Sequence, residues 1–200
     1  MDSQSDNPGA ASFFHQLAGI ISMTEATDSD GRSLSIDDAA QQATEMILSV
    51  QSRSGKVFLI GNGGSSSIVG HMQTDLCNAG RVRAMVFFDT PMLTALSNDH
   101  GYGCVFEKPL KLWAETGDLL IAVSSSGQSE NILRGVKQSL AQNCGVITLS
   151  GFRADNPLRR MGLLNFYVPS QTYGPVESVH SLLTHFIADR VAGQHAKSGE

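Results

Sequence analysis

The chain of 200 residues is 41% hydrophobic and 16% charged, which suits one sizeable core with an appendage and argues against extended disorder. A net charge of −5, without any Lys/Arg-rich run, disfavours nucleic acid as the main partner. Three cysteines, Cys77, Cys104 and Cys144, are widely spaced and lack a CxxC pair, so neither a disulfide framework nor a cysteine zinc site is indicated; a reducing cytoplasm is the simplest setting.

The opening MDSQSDNPGAAS is polar and has neither the basic nor the apolar region of a secretory signal, so residues 1–11 are expected to be a disordered tail. No later stretch approaches the roughly 20 apolar residues of a membrane span. From residue 12 to about 54 the pattern is helical, first around FFHQLAGIISM and then SIDDAAQQATEMILSVQ, where Ser35 or Asp37 could act as the N-cap. The intervening TEATDSDGRS reads as a loop. Beyond Gly55, short apolar runs alternate with helical stretches. The runs are KVFLI (56–60), AMVFF (84–88), DLLIAV (118–123), GVITL (145–149) and LNFYV (164–168), with helices expected around 66–77, 91–97, 104–113, 129–142 and 176–192. Runs that are apolar almost throughout belong to strands covered on both faces, so the alternation predicts an α/β three-layer sandwich with a five-stranded parallel sheet and N-terminal helices. Residues 195–200 read as a second tail.

Ligands of such sheets sit at the carboxyl ends of the strands, and both serine-rich loops fall there. The first, GNGGSSS, follows a strand and opens a helix, so free backbone N–H groups and the positive end of the helix dipole point at an anion. It is not a dinucleotide fingerprint, because Ser66 stands where the last glycine is needed, and no GK[ST] follows to make a Walker loop; no nucleotide cofactor is expected. An ordinary turn is the competing reading. The second loop, AVSSSGQSEN, packs Ser124, Ser125, Ser126 and Ser129 before a helix, and four hydroxyls there make a neutral cup for a dianion. Helix capping is the alternative for Ser126 and Ser129. His71 and Asp75, at i and i+4, share one helix face just past the first loop.

The ordered set GNGGSSS, HMQTDL, SNDHGYG, SSSGQS and VESVHSLLTH resembles the sugar isomerase (SIS) domain family, and within it the phosphoheptose isomerases. The likeness covers most of the chain. It implies a flavodoxin-like SIS domain over 55–194, preceded by an N-terminal helical oligomerisation arm over 12–54. By this resemblance Asn62, Gly63, Gly64 and Ser65 line a sugar-phosphate pocket, Asn98 and Asp99 hold hydroxyls, and Ser124, Ser125, Ser126 and Ser129 hold the phosphate. The family's acid and base fall on Asp75 and His185, and a zinc site of some members falls on His71, Asp75, Glu177 and His185. Glu177 also belongs to the implied substrate set.

The implied activity is an aldose–ketose isomerisation of sedoheptulose 7-phosphate to D-glycero-D-manno-heptose 7-phosphate, by a cytoplasmic homotetramer that feeds heptose units of bacterial surface polysaccharide such as lipopolysaccharide. Four positions depart from the family pattern. Asp75 replaces a glutamate, Glu177 a glutamine and Gly174 an aspartate, while a shorter loop leaves Arg81 or Arg83 as stand-in for a pocket arginine. The other function class implied is a non-catalytic SIS protein, a sugar-phosphate sensor or an adaptor resembling the one that serves the replication initiator.

Overall fold

The computed structural model describes residues 9–197, so the tails expected at 1–11 and 195–200 lie outside it only over 1–8 and 198–200, and residues 195–197 instead continue the last helix. Helix α1 (Ala10–Ser22) starts inside the stretch expected as a tail and buries no residue. The loop expected at 24–33 is instead a β-hairpin, β1 (Glu25–Asp28) and β2 (Ser33–Leu34). Its turn is built by Asp28, whose carboxylate accepts from the Asp30 and Arg32 amides at 2.9 Å, and by Gly31 at φ +79. Of β1 only Ala26 is buried; the strand exists because it pairs antiparallel with a distant partner, a long-range contact that leaves no local apolar run.

Helix α2 (Ile36–Ser52) is capped by Ser35, which accepts from the Asp38 amide; Asp37 lies within the first turn. Then follow β3 (Val57–Gly61), α3 (Gly64–Asn78), β4 (Ala84–Val86), α4 (Thr90–His100), α5 (Glu107–Trp113), β5 (Leu119–Ser124), α6 (Glu130–Ala141), β6 (Gly145–Ser150), β7 (Leu164–Tyr167) and α7 (Tyr173–Lys197). The sheet order is β2-β1-β7-β6-β5-β3-β4. The five expected strands pair in parallel, and the hairpin adds two antiparallel strands, giving seven. The order of the parallel five is the flavodoxin-like one, with the topological switch point between β3 and β5.

Two apolar layers hold the sandwich. Val57 and Leu59 of β3, with Ile121, Ile147 and Phe166, face α2, α3 and α7, whereas Phe58 and Ile60, with Leu120 and Val146, face α5 and α6. Alternate residues of one strand thus serve opposite faces, both dry. α2 packs its Ala39, Ala43, Ile47 and Val50 into this core, so it is part of the sandwich; α1 touches the core only through the partly buried Leu17 and Ile20 and leaves Phe13, Phe14 and Ile21 exposed. Among the described residues no helix is long and apolar enough to cross a membrane.

Among the polar groups buried in the sandwich, which include Thr148, Ser150 and Asn165, is a histidine. His180 of α7 is fully buried, its Nε2 donates to the Ser150 carbonyl at 3.1 Å, and its Nδ1 has no partner. Burial pushes its pKa down to about 4 from 6.5, against the smaller opposing effect of that hydrogen bond. Between those values the unfolded chain binds a proton that the folded chain rejects, so stability is intact above the upper value and falls as pH drops through the window, by about 3 kcal/mol in all. Urea unfolding at pH 7.5 and 4.5 checks this: the unaltered chain should lose clearly more stability on acidification than His180→Gln.

Candidate active site

Gly61 and Asn62 continue β3 into the first loop. A Cβ on Gly61 would stand 2.7 Å from the Ser65 carbonyl oxygen, and Gly63 has φ +51, so the tight entry into α3 requires glycine at both positions. No side chain caps α3, which leaves first-turn N–H groups available to an anion. The helix begins at Gly64, two residues before its expected start.

Beside it, at the carboxyl end of β5, lies the second loop. The parallel register puts Gly61 opposite Val123, so the loops leave the sheet as neighbours. Their residues Asn62, Gly63, Gly64, Ser65, Ser124, Ser125, Ser126 and Ser129 line one cavity of about 210 Å³, closed by Tyr173 and Glu177 of α7. Ser124 and Ser126 accept from the Gly127 and Gln128 amides, holding the turn. Ser129 occupies the N-cap position of α6 but makes no capping bond, and the buried Ser125 hydroxyl has no partner. All four O–H groups therefore remain able to donate to a ligand, those of Ser125 and Ser129 being wholly unengaged. Gly127, at φ +62, lies where a Cβ would come within 2.0 Å of Asn156 Oδ1, so a second buried amide supports this loop from below.

A wider groove of about 650 Å³ shares Gly64 and Glu177 with that cavity and follows the seam of α3 and α7 past Ser67 and Ser181. One turn farther on each helix stand His71 and His185. The Asp75 Oδ2 lies 3.4 Å from His71 Nε2 and 3.4 Å from His185 Nδ1, and the two rings are 4.6 Å apart. Helical side chains lean towards the N-terminus, and both helices begin at the cavity, so all three lean towards it. The His71 and His185 side chains are half exposed, 59% and 47%.

The three ligand atoms lie within 4.8 Å of one another. Two ligands on a tetrahedral zinc ion with bonds of about 2.1 Å are separated by about 3.4 Å, so the observed spacing suits such an ion and leaves a position open. Glu177, expected as a fourth ligand, is outside this cluster. It sits eight residues before His185, roughly 12 Å along the helix, and its carboxylate packs where a Cβ on Gly64 would meet it at 2.4 Å.

Asn98 and Asp99, expected to hold hydroxyls, are exposed at the end of α4, where the Asn98 amide donates to Asp99. They do not line the cavity. Arg81 and Arg83 stand at the amino end of the sheet, where the Arg83 carbonyl accepts from Val57 N, so neither reaches the cavity in this chain. At Gly174 a Cβ would meet open space. Three residues unmarked in the sequence reading belong to the site: Tyr173 at the cavity mouth, braced edge-on by Phe152 at 4.9 Å, and Asn131 and Tyr102, both bonded to Asn62. The SEN and GYG segments that hold the last two gave no signal beyond nearness to the loops.

Residues 12–151 match the SIS domain family. The phosphoheptose isomerase of Helicobacter hepaticus is 28% identical over 167 residues, covering 80% of this chain and 85% of the relative. That of Aliarcobacter butzleri is 30% identical over 160 residues, 76% of this chain and 83% of the relative. The solved phosphoheptose isomerase of Neisseria gonorrhoeae superposes with a TM-score of 0.78 at 27% identity, over 92% of this chain and 96% of that one.

Ser125 gives the cavity a direct test, because an unpaired buried hydroxyl opposes folding yet serves an anion. Ser125→Ala should leave the thermal midpoint unchanged or raise it by up to about 3 °C. Its affinity for inorganic phosphate, followed as the phosphate-dependent rise in that midpoint, should fall about tenfold.

Proposed function

The chain belongs to the SIS domain family, and from that premise we propose that it is a phosphosugar isomerase, acting on sedoheptulose 7-phosphate to give D-glycero-D-manno-heptose 7-phosphate. The observation that carries this reading is the meeting of Asp75 with His185 one helical turn beyond a groove that adjoins a cup of free serine hydroxyls. Relatives named phosphoheptose isomerase, aligned over most of the chain, support it.

In this reading the phosphate occupies the serine loop, where hydroxyls and the α6 N-terminus hold a dianion with no cationic side chain among the lining residues. The sugar then runs along the α3–α7 seam with its carbonyl end towards the cluster. Interconverting a ketose and an aldose removes a proton from the carbon beside the carbonyl, stabilises an enediolate and returns a proton to the neighbouring carbon. Asp75 and His185 act as the general base and acid, each worth about 10²- to 10⁴-fold. Glu177, facing the groove from the other side of Gly64, accepts hydrogen bonds from sugar hydroxyls. His71, Asp75 and His185 would hold a zinc ion, which when bound polarises the substrate's carbonyl oxygen.

Proton abstraction needs a closed site, and this cluster is half exposed in one chain. On α7 the neighbouring Leu182 and Phe186 are exposed and line a shallow groove with the exposed Ile21 of α1. In this reading an apolar face of this kind is covered by another copy in a homotetramer.

Incubation with sedoheptulose 7-phosphate in deuterated water tests the reading: an aldose phosphate should form with solvent deuterium at the exchanging carbon. Asp75→Asn should reduce kcat by about 10²-fold or more while phosphosugar binding persists. No aldose and no deuterium, with tight binding retained, would point to a sensor.

A further inference from the structure

The side chains of Asn62 and Asn131 form a reciprocal pair across the switch point. Asn62 Nδ2 donates to Asn131 Oδ1 at 2.9 Å, and Asn131 Nδ2 donates to Asn62 Oδ1 at 2.8 Å. Tyr102 adds its hydroxyl to the same Asn62 oxygen at 3.0 Å. Asn131 lies in the first turn of α6 and is 3% exposed; Tyr102 is at the surface. One amide oxygen therefore joins the first loop, the helix that follows the second loop, and the GYG segment after α4.

Side-chain links between these three segments are otherwise few: the first loop turns on glycines, no side chain caps α3 or α6, and the 3₁₀ turn Tyr102–Cys104 exposes Tyr102 while Cys104, buried, accepts from Arg134 of α6. A mutually satisfied amide pair with one member buried and the other half-buried fixes both distance and orientation between the groups it joins, because slippage would strand the buried Asn131 donor and acceptor away from water. Both oxygen lone pairs of Asn62 are taken, and one of its two N–H donors is bound to Asn131, so this side chain holds the loops together more than it grips a ligand.

We propose that Asn131, with Tyr102 as its surface partner, is a positioning residue that sets the width of the phosphosugar cavity by clamping Asn62. The inference rests on the reading of that cavity as the phosphosugar site. It assigns Asn131 no contact with the reacting carbons and gives Asn62 a holding role beside its place in the cavity lining.

The test compares Asn131→Ala, Tyr102→Phe and the double variant. Asn131→Ala should raise KM for sedoheptulose 7-phosphate about tenfold while kcat changes less than about threefold. Tyr102→Phe, a surface change that leaves the fold alone, should raise KM about threefold, and the double variant should fall short of the product of the two, because both act through one oxygen. Amide hydrogen exchange of the ligand-free protein should quicken together at 62–66, 102–104 and 124–131 in Asn131→Ala. Unchanged KM, a fall confined to kcat, multiplicative effects, or exchange that stays slow at 62–66 would each overturn the proposal. Should the unaltered protein not turn over this sugar, the functional reading fails by itself; exchange and inorganic phosphate affinity of the same variants still decide the clamp.

Discussion

Parallel pairing of β3 with β5 is the constraint on which the site depends. With Gly61 opposite Val123, two chain segments about 60 residues apart leave the sheet side by side, and each turns at once into a helix. Neither loop could cradle an anion well alone. Adjacent, they aim two helix N-termini and a set of serine hydroxyls into one small cavity, and the two core layers on either side of the sheet keep that adjacency rigid.

The chemistry of the cavity follows from how it is lined. It has hydroxyls, backbone and one carboxylate, and no Lys or Arg among the lining residues. Dipoles and neutral donors bind a dianion without the tight grip of a buried cation, which suits a ligand that must leave after each turnover. The Glu177 carboxylate, set against Gly64, divides the space electrostatically: the serine side favours phosphate, and the Glu177 side favours the hydroxyls of a sugar. Under the proposed function this would orient a sugar phosphate before any acid or base acts upon it.

The α3–α7 seam extends this polarity. Both helices start at the cavity and run together, so residues on their facing sides repeat each turn as steps leading away from the serine loop, from Gly64 and Glu177 through Ser67 and Ser181 to His71, Asp75 and His185. The same seam buries Val176, Val179, Leu183 and Met72, which fixes the helices and hence the 3.4 Å contacts at the far end. Ser150 ties the two parts together, since its carbonyl anchors the buried His180 of α7 while its backbone pairs with Ser124 of the phosphate loop.

Much of this was legible in the chain. Five apolar runs announced the parallel strands, the glycines and serines of the two loops declared their turn and donor chemistry, and the i, i+4 spacing placed His71 with Asp75, because each of these signals is written within a dozen neighbouring residues. Only the tertiary structure decided what depends on distant partners. It turned 24–33 from a loop into an edge hairpin on β7, kept Glu177 apart from the three-residue cluster, left Arg81 and Arg83 at the wrong end of the sheet, and joined Asn62 to Asn131 across 69 positions. Pairing, helix phase and hydrogen-bond closure between remote segments are set by how the whole chain packs, and no local periodicity encodes them.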